Sequence, residues 1–323
     1  MSQALTRFAS RLAALLVFGG VVPAASRAQS DPAGHPWVAA ARRLKLDSLP
    51  GDPKVFYSAN HRPHALRVQA FVAEAMEFYR DSLGAVTPFT MLLVSKPDWT
   101  HAFGPRFWGF ASNRGVAGGD EWAIIQPATG DGALADLIGP AESKAPPELW
   151  AELNPGRLSA EELAQRHIDL VVVHEYGHVL VRSGGVPIRW GRDWFQEFLA
   201  TYLMYAFLAS RHPELAQAYT AWDRVVVRVV PEAYTAIRRF DDGDGWQSRV
   251  GSRRLLWFYA SVGDRVRACY PRHGLDLIRR LTVSLSPKSG WIMPRDELLR
   301  ILDKECGGFD RWASDMRADH LVK

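Results

Sequence analysis

Two hydrophobic periods alternate in the first half of the chain. His64 to Leu83 carries apolar residues at helical spacing and is followed by Gly84 as a stop, and a short helix is predicted from Trp37 to Leu46. The pair Pro97-Asp98 is predicted to end the regular structure that precedes it, the strand from Pro88 to Ser95. Three short apolar runs are typical of strands: Lys54 to Ser58, Pro88 to Ser95 and Glu121 to Gln126. The order of strand, helix, strand and strand predicts an α+β layer.

The second half of the chain has helical spacing throughout. Ser159 and Glu162 form a capping-box pattern, and the helix that they open is expected to run to Arg182, before Gly184-Gly185. Further helical stretches follow: Asp193 to Ser210, Glu214 to Val229, Arg253 to Cys269, Leu275 to Leu285 and Arg295 to Lys304. We therefore expect an α+β subdomain over residues 54–185 and a helical subdomain over residues 186–323. Residues 29–53 form a linker and an N-terminal segment.

The first 28 residues have the pattern of an export signal. Arg7 and Arg11 precede an apolar run from Leu12 to Ala25, and Ser26-Arg27-Ala28 is a small-x-small cleavage site. The alternative is a membrane anchor, but the run is about 14 residues whereas a spanning helix needs roughly 20. The sequence predicts cleavage after Ala28, a periplasmic or secreted mature chain, and no stable membrane insertion after cleavage.

Composition excludes disordered and fibrous classes and argues against a nucleic-acid partner. The chain has 323 residues, of which 47% are hydrophobic, so it can bury a substantial core. Its formal charge is +4, and the three arginines of the leader, which contains no acid, leave about +1 for the rest. That balance is too small for a sequence-independent nucleic-acid footprint.

The chain contains two cysteines, Cys269 and Cys306, and neither lies in a C-x-x-C pattern. In an oxidising compartment they can pair and join two C-terminal segments. Their separation in space is not readable from the sequence, so a bridge and two free thiols both remain open.

The pattern H-E-x-x-H lies within the long predicted helix, at His174, Glu175 and His178. A spacing of four residues places both imidazoles on one helical face, close enough to bind one Zn2+ ion. Glu175 points beside that face, where it can reach a metal-bound water without binding the metal. The alternative is a pair of buried histidines satisfied by hydrogen bonds, at a desolvation cost that needs a reason.

A catalytic zinc site normally has three protein ligands and an open fourth position. Gly184 occupies the position of the third histidine of metzincins, so that class is excluded on the motif. Two downstream acids remain as third-ligand candidates. Asp193 lies where a helix N-cap is expected, which explains it without a metal. Glu197 lies in an apolar helical stretch where an acid needs a partner, and it is the preferred ligand.

These residues resemble the gluzincin metallopeptidases, in particular the peptidase MA-like group. His174 to His178 is followed after 18 residues by Glu197, inside a segment similar to the Trp-x-x-Glu-Gly-x-Ala-x-Tyr segment of that group. The matching residues are Trp194, Glu197, Ala200 and Tyr202. Phe198 replaces the glycine. The resemblance implies a zincin-like fold, with a small mixed sheet and the metal-binding helix followed by a mostly helical subdomain, and zinc-dependent peptidase activity on a peptide or protein substrate.

The resemblance also implies a tyrosine on a later helix that stabilises the oxyanion. Tyr259 lies in the stretch most similar to that helix, and Tyr202 and Tyr234 are weaker candidates. The Gly-x-Met-Glu-Asn segment of the aminopeptidases in this family is absent, and Gly118 to Glu121 stands in the region where it is expected. The sequence therefore gives no support for aminopeptidase specificity.

The leading hypothesis is an exported zinc hydrolase in which Glu175 is the general base and the sheet edge around Glu121 to Gln126 pairs with an extended peptide. The alternative is a non-catalytic binding or scaffold protein that retains the zinc-bearing fold, with Phe198 crowding the cleft. His167, about 10 Å from His174 by helical rise, is interpreted as a surface residue or as one that supports the ligands without binding the metal. Asp241 to Gly245 is interpreted as a polar turn.

Overall fold

The computed structural model describes residues 36–103, 108–115, 120–188, 193–229, 252–285 and 293–317. The predicted signal peptide, Tyr234 and the predicted turn at Asp241 to Gly245 lie outside these ranges, so they stay predictions. Among the described residues, no helix combines the length and the hydrophobicity required to span a membrane.

The N-terminal part combines five strands with three helices. In chain order these are α1 (Pro36–Arg43), β1 (Asp47–Leu49), β2 (Lys54–Tyr57), α2 (Arg62–Leu83), β3 (Thr90–Val94), α3 (Lys96–Phe103), β4 (Ser112–Gly115) and β5 (Trp122–Pro127). The helix α2 ends at Gly84, whose φ of +66° is the left-handed conformation that glycine adopts without strain. The predicted helices and strands of this region are confirmed to within a few residues at most ends.

The five strands form one mixed sheet in the order β1-β2-β3-β5-β4. The three central strands β2, β3 and β5 are parallel, and Met91 of β3 lies opposite Ile124 of β5. The outer strands β1 and β4 run antiparallel to their neighbours. All five residues of β3 are buried, as expected for a central parallel strand covered on both faces.

The prediction that Glu121 to Gln126 forms a sheet edge is wrong. The strand in that segment, β5, lies between β3 and β4, so its backbone groups are already paired on both sides. The two edge strands are β1 and β4, and the one beside β5 is β4, a four-residue strand of sequence Ser-Asn-Arg-Gly. Its short length and polar composition give no alternating hydrophobic signal, which is why the sequence pattern did not indicate it.

The remaining described elements are helices. They are α4 (Ala133–Glu142), α5 (Pro147–Leu153), α6 (Ala160–Arg182), α7 (Asp193–Arg211), α8 (Pro213–Val229), α9 (Ser252–His273), α10 (Asp276–Ser284), α11 (Arg295–Cys306) and α12 (Phe309–Arg317). The five predicted helices after α6 are present. The protein is thus a mixed α+β structure, mostly helical with a small mixed sheet, and the coarse fold class is confirmed. The subdomain boundary at residues 185/186 stays a prediction.

The short elements α3, α4, α5, α12, β1 and β4 were not predicted. Pro97-Asp98 was predicted to be a breaker, but the structure places it in the first turn of the helix α3. Proline is compatible with that position, since the first N–H groups of a helix have no intrahelical acceptor.

The helix α6 is the central element of the fold. The Ser159 hydroxyl accepts a hydrogen bond from the Glu162 N–H at 3.2 Å, and the Glu162 carboxylate accepts one from the Ser159 N–H at 2.8 Å, so the predicted capping box is confirmed. The helix contacts β4 and β5 of the sheet, and it packs along α7 on the helical side. Its second half is almost fully buried as a result.

Cys269 of α9 and Cys306 of α11 form a disulfide, with 5.6 Å between their Cα atoms. This answers the question that the sequence left open. Both residues are buried, so the bridge joins two helices inside the C-terminal core.

Candidate metal centre

The helix α6 brings His174, Glu175 and His178 to one buried region. Their exposed fractions are 7%, 7% and 1%. Because histidines four residues apart lie one turn apart on one helical face, the rings of His174 and His178 stand 4.7 Å apart and nearly perpendicular. The local arrangement expected from the H-E-x-x-H spacing is present.

Close packing of α6 against α7 supplies the third residue. A Cβ atom built on Gly177 would lie 2.9 Å from Cα of Ala200, so a larger residue at position 177 would push the helices apart. At this close approach Glu197 of α7, 1% exposed, faces the two histidines. Gly177 occupies a variable position of the H-E-x-x-H pattern, and the pattern therefore gave no indication of its role.

Three ligand atoms form a nearly equilateral triangle. The Glu197 Oε2 atom lies 3.1 Å from His174 Nε2 and 3.2 Å from His178 Nε2, and the two Nε2 atoms are 3.1 Å apart. These residues form the one His/Cys/Asp/Glu group of this kind among the described residues. We call His174, His178 and Glu197 the ligand triad.

The ligand triad fits a divalent cation by its donor set and its spacing. Tetrahedral coordination with bonds of 2.0–2.1 Å places ligand atoms about 3.3 Å apart, close to the separations observed here. Two imidazole nitrogens and one carboxylate oxygen aimed at one point are donors that zinc and other transition metals accept.

The electrostatics keep Glu197 ionised. Burial is the largest influence on this carboxyl and acts to raise its pKa, but His178 and His174 outweigh burial and hold the pKa well below its ordinary value. Burial also acts to lower the pKa of His174, where Glu197 prevails and raises it. At His178 burial prevails and the pKa is lowered.

The outer nitrogens of the two imidazoles differ in their support. The His174 Nδ1 atom lies 3.3 Å from the Thr201 hydroxyl, whereas His178 Nδ1 has no hydrogen-bond partner in the described part of the chain. Thr201 follows Glu197 by four residues, so it lies on the same face of α7. That spacing could have indicated it, but the sequence analysis missed Thr201.

Glu175 lies outside the ligand triad and is held by the edge strand. Its Oε2 atom accepts a hydrogen bond from the backbone N–H of Asn113 at 2.9 Å and another from the Asn113 side-chain amide. Arg182 donates to Asn113 Oδ1 at 2.7 Å and to Gln196 at 2.9 Å. The Glu175 Oε1 atom has no hydrogen-bond partner in the ranges described. The chain of contacts from Gln196 to Glu175 fixes one carboxylate oxygen and leaves the other available.

Sequence reasoning missed Asn113 and Arg182. Asn113 lies 62 positions from Glu175, in a strand that the hydrophobic pattern did not indicate. Arg182 is at the end of α6, where a basic residue is common for electrostatic reasons alone. No local signal therefore distinguished either residue.

Tyr259 of α9 lies against the ligand triad. Its ring centroid is 6.4 Å from that of His174, with the rings almost perpendicular. Its hydroxyl is buried, and no described residue is its hydrogen-bond partner. Burial raises the pKa of this phenol well above 10, and the charges of Glu197 and Glu175 add to the effect, so the hydroxyl remains a donor.

The other candidates from the sequence do not join the site. The Tyr202 hydroxyl donates to the Gly274 carbonyl at 2.6 Å, which is a structural role. Asp193 is the first residue of α7 and is not part of the ligand triad. Phe198 is fully buried against Phe195 and Phe309 in the helical core and does not line the cavity beside Glu175. The expectation that Phe198 crowds the cleft is therefore wrong.

A cavity opens beside Glu175, between β4, α6, α8 and α9. Its lining includes Asn113, His174, Glu175 and Tyr259, while His178 and Glu197 lie behind this wall. His167 also lines it, with its ring parallel to that of Tyr219. Of the two interpretations of His167, the surface residue is wrong, because His167 is partly buried and lines this cavity, and the residue that supports the ligands stays a prediction. A reactant in this cavity would contact the base, the tyrosine and one side of the ligand triad. We call this space the α6 cavity.

Fold and site together define an α+β protein with a buried two-histidine, one-glutamate group that can hold a metal ion beside a carboxylate and a cavity. No family model matches the chain, and it has no match among curated proteins or solved structures. Any more specific assignment therefore depends on the chemistry of the site.

Proposed function

We propose that this protein is an exported zinc-dependent hydrolase that cleaves peptides or proteins, with a zincin-like arrangement of the gluzincin type. The observation that carries the proposal is the convergence of His174, His178 and Glu197 within 3.2 Å of one another, with Glu175 beside them at a cavity. The predicted leader supports export. The donor set and the H-E-x-x-H context favour zinc over other divalent cations.

Each residue of the site has a part in this reaction. When bound, a zinc ion supplies Lewis acidity toward a water molecule and a carbonyl oxygen. The Glu175 Oε1 atom accepts the proton of the attacking water and returns it to the departing amine, while Asn113 keeps the carboxylate in place through Oε2. Tyr259 donates a hydrogen bond to the oxygen on which negative charge develops, at a distance that the substrate complex sets.

The strand β4 is the surface on which an extended substrate can pair. Among the described strands β4 pairs with β5 only, and Ser112 and Asn113 line the cavity next to Glu175. On the other side of β4 the Asn113 N–H is bound to Glu175, so a substrate would pair with the backbone groups beside it. Backbone pairing at a sheet edge recognises peptides without requiring a particular sequence. This moves the proposed substrate strand from β5 to β4 and keeps the peptide as the substrate class.

Glu175→Gln separates the chemistry from metal binding. We expect the variant to keep about one zinc ion per chain while peptide turnover falls at least about 100-fold, the contribution of a general base. Zinc is measured by mass spectrometry and turnover with a mixed peptide library, on the same sample, with and without chelator. Full activity of the variant contradicts the role of Glu175.

The same library distinguishes the alternative of a non-catalytic binding protein. Wild-type protein that contains zinc but shows no chelator-sensitive cleavage of any peptide favours that alternative. Phe198 was the sequence feature that supported this alternative, and it packs in the helical core and does not line the cavity.

A further inference from the structure

The α6 cavity extends well beyond the ligand triad. Residues from both ends of one face of α6 line it, with His174 and Glu175 at one end and His167 at the other. Seven residues of α-helix span about 10.5 Å. The cavity therefore has a far end, two helical turns from the site of the proposed reaction.

The far end is walled by apolar and aromatic side chains. The rings of Tyr219 and Trp222 lie against His167 there, and the cavity lining also includes Leu134, Ile168 and Leu256. The described lining contains no lysine or arginine, so no cation faces an incoming carboxylate from these walls. Apolar and aromatic walls with placed polar groups are typical of small-ligand sites, in which the polar groups set orientation and specificity.

His167 is a polar group at the far end that no described residue hydrogen-bonds. It is partly buried, its ring lies parallel to Tyr219 at 5.7 Å, and the Trp222 ring is 4.5 Å away. Its ring nitrogens have no hydrogen-bond partner among the described residues. Burial lowers the pKa of His167 to about 3, with a smaller contribution from His174, so the imidazole is neutral at physiological pH. A neutral imidazole offers one donor and one acceptor.

Asp223 also lines the cavity, and burial outweighs Arg267 and raises the pKa of its carboxyl to about 7, so the group carries only part of a negative charge at neutral pH. Its carboxylate is 2.5 Å from the guanidinium of Arg267, which also contacts Asp264. A Cβ atom built on Gly263 would lie 2.0 Å from Asp223 Oδ2, so the carboxylate is enclosed tightly. A substrate ammonium group would meet Arg267 behind this carboxylate, which disfavours lysine and arginine side chains.

We propose that the far end of the α6 cavity binds an uncharged aromatic side chain with a hydrogen-bonding substituent, namely tyrosine, with its hydroxyl on the imidazole of His167. The inference rests on the proposed peptidase function and names the substrate class of that same site. The ring packs against the apolar walls, and His167 supplies the polar partner that distinguishes tyrosine from phenylalanine.

Binding of small probes tests this assignment without turnover. The full chain carrying Glu175→Gln is titrated calorimetrically with the N-acetyl amides of tyrosine, phenylalanine, lysine and aspartate. We expect tyrosine to bind about 5-fold more tightly than phenylalanine, as one net hydrogen bond implies, and both charged amides to bind at least 10-fold more weakly than phenylalanine. His167→Phe in the same background should erase the preference for tyrosine and keep the binding of phenylalanine.

Three results overturn the proposal: charged amides that bind as tightly as tyrosine, a tyrosine preference that survives His167→Phe, or no binding of the tyrosine amide. If His167→Phe does not fold by circular dichroism, the ranking of the four probes on the Glu175→Gln chain decides alone. Zinc content and peptide cleavage are measured separately on the wild-type chain. A tyrosine preference without zinc-dependent cleavage contradicts the proposed hydrolase function and supports the tyrosine site. Zinc-dependent cleavage without a tyrosine preference supports the hydrolase function and contradicts the tyrosine site.

Discussion

The helix α6 presents histidines to two environments that differ in one respect. At one end His174 and His178 face the ionised carboxylate of Glu197, and burial is opposed by its negative charge. At the other end His167 packs among aromatic rings, no carboxylate in the described part of the chain pairs with it, and burial lowers its pKa to about 3. All three residues are histidines, so the neighbouring acid decides which of them are candidate metal ligands and which is a neutral polar residue in the cavity wall.

The largest expected effect is the loss of the metal from the carboxylate end. Glu197→Ala removes one of three ligands and leaves two imidazoles, so stoichiometric zinc should be lost after dialysis, as measured by mass spectrometry. Asp193→Ala is the matched control, since it removes the acid at the start of the same helix, and it should keep zinc. Zinc retained by the first variant and lost by the second would show that the third ligand is assigned wrongly.

The next effect concerns stability at the His167 end. Asp223→Ala removes the buried carboxyl that pairs with Arg267 and leaves this guanidinium only its more exposed partner, Asp264, so the unfolding free energy should fall by about 1.5–3 kcal/mol. Denaturant unfolding measures it. Asp276→Ala, which removes the exposed partner of Arg279, is the control and should change stability little. Equal effects of the two substitutions would contradict the burial argument.

Tyr259→Phe probes the buried hydroxyl of the ring that lies against His174. We expect kcat to fall about 100-fold, while zinc content and KM stay nearly unchanged. The reason is that the hydrogen bond is made to negative charge that develops only during the reaction. Tyr202→Phe removes a hydroxyl bound to Gly274 and should leave kcat unchanged. If kcat falls in the Tyr202→Phe variant only, the assignment of the oxyanion-stabilising role to Tyr259 is wrong.

The smallest effect is a pH dependence of stability that comes from His167. Its pKa is about 3 in the folded protein and 6.5 in the unfolded chain, so the unfolded state binds the extra proton. The contribution is therefore fully present above pH 6.5 and is lost as pH falls toward 3, by at most about 1.4 kcal/mol per pH unit. Unfolding of the wild type and of His167→Phe at pH 7, 6 and 5 measures it. If the unfolding free energies of the two proteins change with pH in the same way, the lowered pKa is not that of His167.

Much of the candidate site was predictable because its signals are local. The spacing of His174 and His178 fixes their common face in any α-helix, and Glu197 stood out as an acid in an apolar stretch. The helix limits followed from caps and periodicity for the same reason. Tyr259 was predicted only from resemblance, and the structure places its hydroxyl near the site without a partner among the described residues.

The sequence by itself determined the elements whose signals lie within a few residues: the long helices, the central strands, and the two-histidine face of α6. Only the tertiary structure decided that β4 is a sheet edge, that Asn113 holds Glu175, that Cys269 meets Cys306, and that Phe198 points away from the cavity. The physical reason is range. A helical face is set by a backbone period of 3.6 residues, whereas these contacts join residues brought together by packing, which no local period encodes.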